Sequence, residues 1–255
     1  DLGEMQKTYV YKNIIGQSAA IQRVFTQIEE VAEININVFI EGESGTGKEL
    51  VAKAVHYGSA YRKGPFIAIN CGAIPELLQE SEFFGHEKGS FTGADYSRVA
   101  KLEYANNGSL FLDEVGEMSQ EMQVKLLRFL QDKTFERVGG NKKISVDLRI
   151  ISATNRKLEQ AVASGKFRED LYYRLVVYPI IMPTLRERKE DIPLLANHFL
   201  KKYKNEMPKI ITSVSSLVME ALMKYDWRGN VRQLENIIYR AMVATQSETI
   251  EIENL

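Results

Sequence analysis

Two kinds of apolar pattern alternate along the chain, with glycines and prolines standing between them. Dense runs such as Val38-Phe-Ile40, Phe66-Ile-Ala-Ile69, Leu110-Phe-Leu112 and Leu148-Arg-Ile-Ile151 have few polar interruptions, as strands buried on both faces do. Sparser stretches place apolar residues every three or four positions, which is helical spacing. Ile21, Val24, Phe25 and Ile28 form one such stripe, with Ser18 placed to cap its start; Leu50, Val51 and Val55 form a second, and Met122 to Leu130 a third. Strands and helices in alternation predict an α/β fold on a parallel sheet.

The pattern changes near Pro179 and Pro183, which mark the expected exit from the α/β part. Beyond them only helical spacing remains, over 192–203, 213–225 and 230–245, as in a small helical lid. The first dozen residues carry little pattern and are expected to be a linker. The expected division is therefore a linker over 1–13, an α/β domain over 14–183 and a lid over 184–255.

Composition narrows the class. With 255 residues, 44% of them hydrophobic, the chain is long enough for one large domain with a smaller companion. A formal net charge of -1 argues against a dedicated nucleic-acid surface, although a local patch such as Lys142-Lys143 on the Val138 to Lys143 loop stays open. The single cysteine, Cys71, excludes an internal disulfide framework and fits a reducing compartment. No apolar run reaches membrane-spanning length and no signal peptide opens the chain, so a cytoplasmic location is expected. No Cys/His group has structural-zinc spacing.

The chemistry concentrates between Gly42 and Leu50, which reads Gly-Glu-Ser-Gly-Thr-Gly-Lys-Glu-Leu between a strand and a helix. Glycines let successive backbone N–H groups converge on phosphate oxygens, the helix start adds positive potential, and a lysine reaches the β and γ phosphates. Gly42, Glu43, Ser44, Gly45, Thr46, Gly47, Lys48, Glu49 and Leu50 are therefore the expected nucleotide contacts. Glu49 stands where the general pattern has Ser or Thr for magnesium, so it either holds the metal through water or leaves it to other carboxylates.

Leu110 to Leu112 would deliver Asp113 and Glu114 to a strand end, where Asp113 suits Mg²⁺ and its waters and Glu114 an attacking water. Asn70 and Asn155 close two further strand runs. Each is placed to sense a nucleotide, or else to form a turn or cap. Ile14-Ile15 before Gly16 would lie over an adenine or pack ahead of the helix. Gly85 to Ala94 surrounds Phe91 and Thr92 with glycines, composition that suits a mobile loop presenting an aromatic to a partner. His86 is expected in that loop's framework, and His56 and Trp227 in packing.

Taken together, Gly-Glu-Ser-Gly-Thr-Gly-Lys-Glu at 42–49, Ser-Leu-Phe-Leu-Asp-Glu at 109–114 and Gly-Ser-Phe-Thr-Gly-Ala at 89–94 resemble the central AAA+ ATPase domain of bacterial enhancer-binding proteins. These are the activators of sigma-54-dependent transcription in the nitrogen-regulator class, and the resemblance runs from Ile14 to about Leu255. The first two stretches resemble Walker A and Walker B. The third resembles the family's GAFTGA loop, with Ser90 in place of its alanine; this is the most specific of the three.

The resemblance implies a P-loop AAA+ three-layer parallel-sheet domain followed by a small α-helical lid. It implies ATP hydrolysis with Mg²⁺ in a homo-oligomeric ring, a hexamer, coupled to remodelling of the sigma-54 RNA polymerase closed complex. By the same resemblance Asn70 is the switch that responds to nucleotide through Glu114, and Asn155 is sensor I. Arg168 and Arg174 are presented across the subunit interface; the residues alone would equally allow local salt bridges. Arg232 approaches nucleotide from the lid, in a stretch where Arg228 replaces the family's usual proline. Gly89, Ser90, Phe91, Thr92, Gly93 and Ala94 are the implied sigma-54 contacts. Promoter DNA is expected to be met mainly through a domain absent from this chain.

Overall fold

Each dense apolar run becomes a strand of one parallel sheet. The computed structural model describes residues 10, 11, 13–207 and 209–255. In chain order the elements begin with β1 (Val10–Tyr11), β2 (Ile14–Ile15), α1 (Ala19–Ala32), β3 (Val38–Glu41), α2 (Lys48–Tyr57) and β4 (Phe66–Asn70). There follow α3 (Glu76–Phe84), α4 (Lys101–Tyr104), β5 (Ser109–Asp113), α5 (Gln120–Asp132), β6 (Thr134–Glu136), β7 (Lys143–Ser145) and β8 (Arg149–Thr154). α6 (Leu158–Ala163), α7 (Glu169–Leu175) and β9 (Tyr178–Ile181) complete the α/β part, and α8 (Ile192–Tyr203), β10 (Ser213–Val214), α9 (Ser216–Lys224), α10 (Asn230–Ala244) and β11 (Thr249–Ile250) come after it. Most of the expected linker lies outside the described residues; Val10–Tyr11 pairs antiparallel with Ile14–Ile15.

The chain packs as two units. One holds Gln27–Glu41 and Val51–Ile181; the other gathers the segment ending at Thr26, Gly42–Leu50 and Met182–Leu255. In the first, the sheet runs β4-β5-β8-β3-β9, with Ile67 beside Leu110, Leu110 beside Ile150, and Ile40 between Ala153 and Ile180. All pairs are parallel, so Asn70, Asp113 and Thr154 end their strands on one edge of the sheet, where ligands of such folds bind. Leu110, Leu112 and Ile150 pack with Phe83, Met122, Leu126 and Phe129 in a core that excludes water. Arg149 is buried in β8 and donates to the carbonyls of Val31 and Ala32 at 2.7 and 2.8 Å, closing the last turn of α1. Burial brings its pKa down to about 10.

One sequence expectation is refined here and one changes. Pro179 sits inside β9, the last strand before the exit, beside Phe39. A proline is tolerated there because β9 is an edge strand, with β3 as its one sheet neighbour among the described residues. The helix expected from Ser213 instead begins at Ser216: Ser213–Val214 pairs with Thr249–Ile250, and Ser215 caps the helix by accepting from Val218 N.

In the second unit Leu185, Ile192, Leu195, Phe199, Leu222, Leu234 and Ile238 surround the buried Trp227, whose Nε1 donates to Leu222 O at 2.7 Å. Trp227 is thus a packing residue, as its place in the sequence suggests.

Candidate active site

The phosphate loop begins where β3 ends. Gly45 and Gly47 take the left-handed region, with φ of 79° and 100°, and α2 starts at Lys48 with Leu50 N–H donating to Gly47 O. The loop is packed as well as bent. A Cβ at Gly42 would stand 2.6 Å from Met182 Cβ, and one at Gly45 only 2.4 Å from Gly229 O. Thr46 Oγ1 donates back to Glu43 O at 2.8 Å. Lys48 Nζ donates to Gly42 O at 2.9 Å and Glu43 O at 3.4 Å, which holds a buried ammonium within the loop.

Glu43 has a structural partner set that sequence spacing does not announce. Its carboxylate accepts from both terminal nitrogens of Arg186 and from Asn230 Nδ2 at 3.1 Å. These hydrogen bonds, Arg186 first, hold the Glu43 carboxyl below the usual glutamate range. Asn230 is fully buried in a left-handed conformation (φ 50°) and also donates to Ser44 O while accepting from Leu185 N. The N-terminus of α10 therefore grips the loop directly. Arg232, expected near nucleotide, adds its backbone N–H to Gly45 O at 3.3 Å, and its side chain is exposed.

A cavity of about 500 Å³ opens beside this loop, lined by Thr46, Gly47 and Leu50 together with Ile14, Ile15 and Phe199. The size is that of an ordinary small-molecule site. Arg188 also lines it.

The unit that carries the parallel sheet holds the acidic residues. Asp113 ends β5 beside Asn70, and Glu114 follows with φ 54°, a conformation that costs a non-glycine residue strain. Glu114 Oε2 accepts the backbone N–H of Asn155 at 3.1 Å. Asn155 is therefore brought to Glu114 through its main chain, with its side chain exposed. Asn70 Oδ1 accepts from Ala73 N at 3.1 Å, so the turn-capping reading of this residue is realised. Cys71 beside it is buried, and burial pushes its thiol pKa up. His56 is buried against Ser109, Nδ1 to Oγ 2.8 Å, and burial lowers its pKa.

The segment 85–94 closes on itself. Gly89 N–H donates to Ala94 O and Ala94 N–H to Phe91 O, and its base is pinned by His86 pairing with Arg98 and Val138. His86 is buried, as a framework residue should be, and Phe91 meets it edge-on at 5.0 Å while remaining 40% exposed. Arg168 lies at the N-terminus of α7, its guanidinium on Asp170 at 3.0 and 2.7 Å; Arg174 lies in the last turn, and both are exposed. Sequence reasoning overlooked Arg186, Arg188, Asp191 and Asn230. Only the clustering of charges in Leu-Arg-Glu-Arg-Lys-Glu-Asp before an apolar helix hinted at the first three.

Residues 14–181 match the model of the Sigma-54 interaction domain, and residues 186–255 that of an AAA+ ATPase lid domain. The Nif-specific regulatory protein of Herbaspirillum seropedicae is 50% identical over 247 residues, 97% of this chain and 46% of that protein. The regulatory protein AtoC of Escherichia coli K12 is 49% identical over 251 residues, 98% of this chain and 54% of its own length. A solved structure of NtrX from Brucella abortus in complex with ATP superposes with a TM-score of 0.86 at 39% identity, covering 100% of this chain and 58% of that one. The chain spans about half the length of the curated relatives it matches.

Proposed function

Because the chain belongs to the sigma-54 interaction domain family, an α/β P-loop AAA+ fold with a helical lid, we propose that it hydrolyses ATP in an oligomeric ring. Hydrolysis remodels the closed complex of sigma-54 RNA polymerase in the cytoplasm. The observation that carries this reading is the 89–94 loop, closed at its base and exposing Phe91, in a chain that also holds a formed phosphate loop.

In this proposal the backbone of Gly42, Ser44, Gly45, Thr46 and Gly47 and the ammonium of Lys48 bind the phosphates. The base enters the cavity lined by Ile14, Ile15 and Leu50. Asp113 and Glu49 would hold magnesium, whose charge would offset the charge developing on the phosphates. Among the described residues no three His, Cys, Asp or Glu side chains form a metal cage. Magnesium ordinarily takes one or two carboxylates and fills its shell with phosphate and water, a demand that Asp113 and Glu49 suit.

Glu114 polarises the attacking water, and the Asn155 N–H that it accepts fixes its carboxylate. Asn70 reports nucleotide state. Arg168 and Arg174 act on the neighbour's γ-phosphate, so turnover requires assembly. Arg232 approaches from the lid, while Glu43 belongs to the nucleotide-binding loop and its carboxylate shapes that loop through Arg186 and Asn230. Phe91 and Thr92, carried between Gly89, Ser90, Gly93 and Ala94, meet sigma-54; the ring is a hexamer, and promoter DNA is met through another domain.

The test is binding to sigma-54 in the presence of ADP and a metal-fluoride phosphate mimic, comparing wild type with Phe91→Ala. Nucleotide-dependent capture by wild type and its loss in the variant are expected. Assembly of trapped rings without capture by either protein would remove the transcriptional part of the proposal and leave an AAA+ ATPase with another partner.

A further inference from the structure

The walls of the cavity beside the phosphate loop are largely apolar, supplied by Ile14, Ile15, Leu50, Leu195, Phe199 and Val231. Arg188 breaks that pattern. Its side chain is 2% exposed, and its Nε is buried with no hydrogen-bond partner among the described residues. The other contacts of the guanidinium are long: Nη1 stands 3.4 Å from Ile15 O and 3.7 Å from Asp191 Oδ2.

Asp191 is held toward the other side, its oxygens accepting from Gln17 N at 2.7 Å, Ser18 N at 2.9 Å and Ser18 Oγ at 2.7 Å. Burial accordingly pulls the Arg188 pKa down against the opposing pull of Asp191. At the other polar end of the cavity, Lys202 and Glu235 satisfy each other at 2.6 Å. Arg188 is thus the buried lining residue with a donor to spare, and leaving such a donor unmatched is costly.

We propose that Arg188 is a base-reading residue, its guanidinium donating to a ring nitrogen of the purine held in this cavity. The inference rests on the nucleotide reading above and deepens it. Adenine offers acceptor nitrogens on its edges, and the apolar walls hold its faces. The same side chain touches Ile15 O, so it sets the height of the Ile14–Ile15 wall while it reads the edge. Asp191 completes the arrangement by holding Gln17 and Ser18; a Cβ at Gly16 would stand 2.7 Å from its Oδ2, so the chain approaches as closely as glycine allows.

The experiment measures affinity for ADP and for its 1-deaza, 3-deaza and 7-deaza analogues, each lacking one ring nitrogen, in wild type and in Arg188→Lys, which keeps the charge beside Asp191 but loses the planar guanidinium. One analogue is expected to bind wild type about 10-fold more weakly, the worth of one buried hydrogen bond. Arg188→Lys should bind ADP correspondingly more weakly and no longer distinguish that analogue from ADP. Equal binding of all four ligands by wild type would overturn the proposal, as would a deaza loss of the same size in the variant. If Arg188→Lys does not fold, the double variant Arg188→Met/Asp191→Asn, which removes both charges together, takes its place. Failure of the nucleotide reading itself would look different: wild type would not bind ADP, and Lys48→Ala would change nothing.

Discussion

Two glycine loops of this chain solve opposite problems. In the phosphate loop, glycine is required by space: Gly42 lies against Met182, and Gly45 lies against Gly229 O closer than any side chain could. In the 89–94 loop, Gly89 and Gly93 are left-handed (φ 80° and 101°), yet a Cβ on either would meet nothing within 4 Å. The glycines of the first loop are hemmed in by their surroundings, and Gly89 and Gly93 of the second face open space. A loop that must hold phosphate oxygens gains from rigid, pre-formed N–H groups. A loop that meets a partner gains from freedom to reshape around one aromatic.

The sharpest way to break the contrast is Gly45→Ala. It adds both a backbone clash and a disfavoured φ, so a loss of about 3 kcal/mol in unfolding free energy is expected, with ADP binding abolished in calorimetry. Asn230→Ala removes the grip on Glu43 Oε2, Ser44 O and Leu185 N–H as a set and is expected to cost about 2 kcal/mol. Asn230→Gly, which accepts the left-handed φ, separates the lost bonds from backbone strain in the same denaturation experiment. Gly93→Ala should cost only about 1 kcal/mol, the price of the left-handed conformation, with ADP affinity unchanged; a loss of ADP binding would show that the two loops are not independent.

The smallest effect is electrostatic. Hydrogen bonds from Arg186 and Asn230 lower the Glu43 pKa, so their stabilisation is present above the ordinary value of 4.5 and is lost as pH falls through the folded-state value. With the Glu43 side chain 41% exposed, solvent screening keeps this under about 1 kcal/mol. Glu43→Gln should flatten that part of the stability profile on the acid side of pH 4.5.

The sheet was legible because it is local. Val38-Phe-Ile40 or Leu110-Phe-Leu112 announces a buried strand without reference to any other part of the chain, and a glycine or acid at its end announces the turn. The same locality exposed Gly42 to Glu49 and Asp113-Glu114. What escaped is held by distance along the chain. Asn230 reaches back to Glu43 and Ser44, and Asp191 to Gln17 and Ser18, and no periodicity links such residues. The error at Ser213 has the same source, since pairing with Thr249 took Ser213–Val214 out of the helix. Pro179 carries the same local signal whether it stands beyond a domain's last strand or, as here, on the edge strand β9 itself.

That edge strand also bears on how copies of the molecule can meet. On β9, Pro179 has no N–H to offer, and its carbonyl is taken by Gln27 Nε2 from α1 at 3.4 Å. A foreign strand arriving there would find no donor, and an acceptor already engaged, at that position. The proline thus blunts this edge of the sheet against the addition of a foreign strand, and with it against growth of the sheet from one molecule into the next.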